Sequence, residues 1–217
     1  MRKVVLLLIL NLFLLFNVKA QICQAEYNLK IPLSRHFVLK TGSAVRTKEQ
    51  NFPQIKTVLF ENSLNFEASK RIDLAIGYRY SLDEGHEEPS FNLEEDKRRI
   101  NFDFSYDLPI VKKPYDLDYR LRVQQSRKSG DQDKFYLRNK LSFQYKLHDL
   151  FQPYTSHEIY YDFNNHTFRF FKSKIGMETS PCRRLKFDMY MTNEISFKSG
   201  YAKESYLIGV SVDIKLF

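Results

Sequence analysis

Between Arg71 and Leu82 the chain reads RIDLAIGYRYSL, and every second residue is large and apolar or aromatic: Ile72, Leu74, Ile76, Tyr78, Tyr80 and Leu82. Arg71, Asp73, Ala75, Gly77, Arg79 and Ser81 lie between them. A strand sends successive side chains to opposite faces, so this spacing builds one greasy face and one polar or small face. A helix would scatter the same residues around its whole surface. The segment is a strand.

The pattern recurs along the chain. Ile100, Phe102, Phe104, Tyr106 and Leu108 alternate with Asn101, Asp103, Ser105 and Asp107. Tyr115 to Val123 alternates the same way with Asp116, Asp118, Arg120 and Arg122. Phe135 to Leu147 sets Leu141, Phe143 and Tyr145 against Arg138, Lys140 and Ser142, and Tyr206 to Leu216 closes the series. Weaker versions occupy 37–46, 55–68, 154–163, 168–179 and 185–195. Each unit is about a dozen residues, near the length that crosses a bilayer on a tilt. Connections at 68–70, 109–114, 148–150 and 180–182 are short or proline-marked, whereas 47–53, 83–96, 126–133 and 196–204 are more polar. No helix of useful length can be placed. The fold expected is all-β: an up-and-down antiparallel transmembrane β-barrel over 36–217.

Counting from residue 36 gives about ten strands, with eight to twelve allowed, and both chain ends on the periplasmic side. Residues 21–35 form either an N-terminal periplasmic segment or a first strand through Tyr27–Leu33. Counting that strand would give eleven and break the even parity.

Residues 1–20 carry an address. Arg2 and Lys3 precede an apolar run from Val4 to Phe16, and Val18-Lys19-Ala20 supplies a cleavage site before Gln21. This is the three-part pattern of a secretory signal peptide. Its removal takes away Arg2, Lys3 and Lys19 and no acid, so the formal charge of +8 falls to +5. That excess is small and dispersed, which argues against a nucleic-acid partner. No second apolar stretch approaches spanning-helix length. A membrane protein of this sequence would have to cross with strands.

Alternation alone leaves the direction of the greasy face open. A soluble barrel points it inward, and a membrane barrel points it at lipid. Three features favour lipid. The polar face carries both signs, Tyr and Phe gather at strand ends, and the chain ends on an aromatic, Phe217. Two features run the other way: Phe217 falls off the parity that runs through Leu216, and there is no Trp for an aromatic girdle. In the membrane reading Asp73, Arg79, Asp103, Asp107, Asp118, Arg120, Arg122, Arg138 and Lys140 face the lumen. A barrel of about ten strands is only slightly wider than one that side chains fill. These charges would therefore make the lumen narrow and ion-paired, closer to a plug than to a wide pore.

GYRY (Gly77–Tyr80), RRINFDFSYDL (Arg98–Leu108), YRLRVQQ (Tyr119–Gln125) and RNKLSFQYKL (Arg138–Leu147) are similar to segments of an uncharacterised bacterial outer-membrane family, domain of unknown function 2490 (DUF2490). PYTSHEIYYDF (Pro153–Phe163) and YLIGVSVDIKLF (Tyr206–Phe217) resemble its later strands. The resemblance implies a small outer-membrane barrel of a diderm, Gram-negative bacterium, in contact with outer-membrane lipid and lipopolysaccharide. It implies no activity and no catalytic residues.

Cys23 and Cys182 are the only cysteines, and an exported chain permits a disulfide between them. Neither Cys-x-x-Cys spacing nor the scattered His36, His86, His148 and His166 forms a metal-ligand set, so no metal or cofactor is expected. Ser156-His157-Glu158 invites a lipid-hydrolase reading, but adjacent strand residues face opposite ways and a triad must converge. The acidic stretch around Glu84, Glu87, Glu88, Glu94, Glu95 and Asp96 reads as a solvated loop, with a cation or partner site as its alternative. The function expected is a non-enzymatic outer-membrane barrel with a structural or interaction role. Its alternatives are a barrel enzyme acting on lipid A or phospholipid, or a soluble exported barrel that binds an apolar ligand.

Overall fold

The alternating segments become the staves of one closed sheet. The computed structural model describes residues 22–48, 55–83, 95–109, 114–128, 130, 132–146, 150–198 and 201–216. The segment 1–20, most of the acidic loop, His86, His148 and Phe217 lie outside them. Eleven strands follow in chain order: β1 (Ile22–Pro32), β2 (Phe37–Lys48), β3 (Ile55–Glu67), β4 (Ile72–Asp83), β5 (Glu95–Asp107) and β6 (Tyr115–Lys128). They continue with β7 (Lys134–Tyr145), β8 (Gln152–Asp162), β9 (Thr167–Cys182), β10 (Leu185–Lys198) and β11 (Tyr201–Lys215).

Each strand pairs antiparallel with its sequence neighbour, and β1 closes the barrel on β11. The count is one above ten, and the extra strand is the weakly patterned N-terminal segment. An odd count leaves the first and last strands running the same way. The closing pair is therefore parallel, from Ile22 opposite Leu207 to Lys30 opposite Lys215. It also places the start of β1 and the end of β11 at opposite ends of the barrel, so both ends of the sheet cannot face the periplasm. We call the end with connections 49–54, 84–94, 129–133, 163–166 and 199–200 the upper end. Connections 33–36, 68–71, 108–114, 146–151 and 183–184 form the lower end. The loop asymmetry is weaker than the sequence suggests, because β10 and β11 stay paired out to Lys198 and Tyr201.

The faces are inverted relative to a soluble protein. Ile76, Phe102 and Ile175 lie on the outer wall with 57%, 52% and 59% of their surface exposed. Asn101, Gln124 and Ser156, each 3% exposed, point inward. Only Ala44, Leu59, Tyr160 and Tyr190 are buried apolar or aromatic residues among those described. Among the described residues the interior is lined mainly by polar and charged side chains. Aromatic contacts gather towards both ends of the outer wall. Tyr115 stacks on Tyr145 and Phe143 near the lower end, where Phe37 also meets Phe66. Tyr161 meets Phe163 and Phe168 edge-on near the upper end. A twelve-residue strand tilted by about 40° rises roughly 30 Å, the thickness of a bilayer's hydrocarbon core.

Candidate functional site

The alternation that coats the outside with apolar groups lines the inside with charge, and the lumen is the candidate site. A cavity of about 650 Å³ occupies it. A second chamber of about 340 Å³ adjoins it towards the upper end and shares Arg46, Lys97, Arg99, Tyr160 and Lys172 with it.

The middle of the wall is a guanidinium–carboxylate network on β5 to β8. Asp103 and Arg122 face each other across β5 and β6. Arg122 donates from Nε to Asp103 Oδ1 at 2.6 Å and from Nη2 to Oδ2 at 2.5 Å. This two-pronged geometry is the strongest form that such a pair takes. Asn101 donates to the same carboxylate at 3.1 Å. Arg138 grips both oxygens of Glu158, at 3.2 and 3.0 Å, and donates to Gln124 Oε1 at 2.8 Å. Arg120 reaches Glu158 across the intervening strand at 3.1 Å. Arg79 pairs with Glu61, directly opposite it on β3.

These pairs run around the wall between strands one or two apart, and none bridges the lumen. That is why cavity remains between them. The lower part is less tightly paired. Asp73 and Asp118 sit inside near the lower end, Asp107 is exposed at its rim, and Lys140 lines the cavity wall. No ion pair within the described residues joins Asp73, Asp107, Asp118 or Lys140.

Several lumen charges were not among those the sequence placed there. Glu61 and Glu158 supply the carboxylates for Arg79, Arg120 and Arg138. Lys30–Asp213 at 2.6 Å ties β1 to β11, and Lys174–Asp188 at 3.0 Å ties β9 to β10. Strand parity in the weaker segments was the signal that could have found them.

Two tyrosines lie flat along the inner wall because glycines leave room. Tyr190 on β10 crosses Gly209 on β11 and donates to Glu26 on β1 at 2.8 Å. Tyr154 on β8 crosses Gly176 on β9 and reaches both oxygens of Asp188 at 2.9 Å. A Cβ on Gly176 would lie 2.6 Å from the Tyr154 hydroxyl.

The hydrolase constellation does not assemble. Ser156 and Glu158 face the lumen, whereas His157 is exposed on the outer wall, stacks on Phe171 and shares a 3.0 Å hydrogen bond with Ser173 Oγ. The lumen carboxylates Asp188 and Glu194 on β10 are paired with Lys174 and Lys172. The disulfide is excluded by position. Cys23 sits opposite Ile208 near the upper end, and Cys182 pairs with Leu185, itself opposite Ile214 near the lower end. Six residues of strand correspond to about 20 Å, while a bridge needs Cα atoms within roughly 7 Å. Both thiols are free. Among the described residues no group of three or more His, Cys, Asp or Glu is arranged to hold a metal ion.

The match to known proteins falls on this same wall. The family model described as "Protein of unknown function (DUF2490)" matches residues 25–204, from β1 into β11. The chain belongs to the DUF2490 family. No curated protein matches it. Among solved structures it is similar to an anion-selective porin from Comamonas acidovorans, at 7% identity and a TM-score of 0.38. That match covers 80% of this chain and 55% of the porin. It is also similar to OmpT, an outer membrane protein of Vibrio cholerae, at 9% identity and a TM-score of 0.39, covering 78% of this chain and 59% of that one. The chain thus spans somewhat over half the length of each.

Proposed function

We infer that this protein is a small outer-membrane β-barrel of a diderm bacterium, with a narrow, charge-lined lumen and a structural or interaction role. The observation that carries the reading is the inverted polarity: apolar side chains coat the outside while Asp103, Arg122, Arg138 and Glu158 are buried inside. Water-soluble proteins rarely expose so continuous an apolar surface, and a bilayer is the solvent that such a surface fits. The aromatic clusters towards both ends suit the two membrane interfaces, where such side chains are enriched. The secretory pattern of residues 1–20 supplies the route out of the cytoplasm, and the partners on the outer wall are outer-membrane lipid and lipopolysaccharide.

The ion-paired inner wall, with cavities of only about 650 and 340 Å³ between its side chains, supports a narrow lumen over a general diffusion pore. Fractionation of the native host, followed by unboiled and boiled gel migration, tests location and closure. Heat-modifiable migration in the outer-membrane fraction is the expected result, and recovery as a soluble protein would overturn the reading. Liposomes carrying the purified barrel should not swell in neutral sugars of porin-permeant size. Rapid swelling would replace the narrow lumen with a general porin.

A further inference from the structure

Among the described residues, the upper chamber is lined mainly by cations. Its described lining includes Arg46, Lys97, Arg99, Arg169 and Lys172, besides Lys128 and Lys134, which have partners of their own, and one carboxylate, Glu194, which is already paired with Lys172. The nearby Asp162 is 1% exposed, and its oxygens accept from the backbone N–H groups of Asn164 and Asn165 and from the Asn165 side chain. It is committed to the 163–166 turn. Arg99 and Arg169 each bury an Nε–H that finds no acceptor among the described residues. A buried donor without a partner is costly, so this pair of orphans needs explaining.

Arg169 is there because the strand breaks its own rule. Along β9, Phe170, Lys172 and Lys174 share the inward parity, so Arg169 would otherwise face outward. The register slips at this point: Tyr160 pairs with Phe170, but Tyr161 pairs with Phe168, leaving Arg169 as the extra residue of a bulge. The bulge turns the guanidinium into the chamber lining. Bulges re-aim side chains in this way beside functional sites. Lys97 and Arg99 arrive by ordinary alternation on β5, four and two residues before the inward-facing Asn101.

We propose that this chamber binds a phosphate dianion, either free or as the ester of a small molecule, through Arg99, Arg169 and Lys97. A tetrahedral anion with several acceptor oxygens can take charge-assisted bonds from both unpartnered Nε–H groups at once, in the fork geometry that arginine presents. The chamber volume of about 340 Å³ limits the ligand to small-molecule size. The inference rests on the membrane-barrel reading, which supplies a water-accessible lumen.

The test is calorimetric titration of the full mature chain, folded in detergent, with inorganic phosphate and with glucose 6-phosphate. Wild type is compared with Arg99→Gln, Arg169→Gln and, as a lower-end control, Asp73→Asn. Each variant is first checked for heat-modifiable migration, and Arg169→Gln, at the strand's edge, keeps the test alive if Arg99→Gln does not fold. Each arginine variant should weaken binding by about tenfold, the size of one lost charge-assisted bond, with Asp73→Asn unchanged. Tighter binding of the ester marks a phosphorylated metabolite as the source and tighter binding of inorganic phosphate marks the free anion; either supports the site. A heat-modifiable wild type that binds neither probe, or equal binding by Arg169→Gln, overturns this inference alone. A wild type without heat-modifiable migration overturns the barrel reading and this inference with it.

Discussion

The seam between β1 and β11 and the wall from β5 to β8 solve the same problem with different chemistry. The wall is antiparallel and holds its interior with buried guanidinium–carboxylate pairs: Asp103 with Arg122, and Glu158 with Arg138 and Arg120. The seam is parallel, and parallel pairing is slightly weaker per residue. Its interior is held mainly by neutral donors. Asn28 donates to Ser211 at 3.2 Å and to Asp213 at 2.9 Å, Tyr190 spans the junction to Glu26, and Lys30–Asp213 is only partly buried. The wall has strong links that are costly to unpair; the seam has several modest ones that act together. The sheet closes where its pairing is weakest, and bridging side chains compensate there.

The largest effect should come from removing one side of the seam. Deleting residues 22–32 takes away β1, orphans the Tyr190 hydroxyl and Asp213, and strips β2 and β11 of their common partner. Unboiled samples should lose the heat-modifiable band, because an open edge in lipid leaves a whole row of backbone groups unpaired. β2 and β11 run antiparallel to each other, so a retained folded band would mean that they pair directly. In that case β1 adds to a ten-stranded barrel and is not needed to close it.

Next in size is the wall. Glu158→Gln removes the carboxylate that two arginines share, one of them gripping it in a two-pronged contact. Removing one partner of a buried pair costs roughly 3–5 kcal/mol, because the remaining charge stays buried without compensation. Urea titration followed by loss of the folded band should show a large drop in midpoint. A drop no larger than that of a seam hydrogen-bond variant would mean that lumen water solvates Arg138 and Arg120 well enough to make the pairs dispensable, and the contrast between seam and wall would dissolve.

The wall was legible in the sequence and the seam was not, for a physical reason. On β4 to β7 both faces are uniform, so parity alone places Arg79, Asp103, Arg122 and Arg138 inside. On β1 the outward positions include Cys23 and Ala25, which carry little apolar signal, and Pro32 ends the strand. The pairing of β1 with β11 joins residues nearly two hundred positions apart and has no local signature. Glu158 was hidden differently: it stands beside His157 in a stretch that resembles catalytic chemistry, and only its distance to Arg138 reveals its role. Arg169 could not be placed from parity, since a bulge inverts parity by definition.

The smallest effect isolates a single bridge across the seam. Tyr190 is 4% exposed, its hydroxyl donates to Glu26 and accepts from Gln24 Nε2 at 3.0 Å, and its ring covers Gly209, where a Cβ would collide with it. Tyr190→Phe keeps the ring over the glycine and removes only the hydroxyl. The loss should be about 1 kcal/mol, the net worth of an ordinary hydrogen bond, seen as a modest fall in urea midpoint with the folded band retained. If the bridge matters because it spans the seam, combining Tyr190→Phe with Lys30→Met should cost more than the two changes add up to separately, since both relax the same junction. Strict additivity would mean that the parallel ladder closes the barrel on its own backbone bonds, and that the side chains inside the seam are only passengers on it.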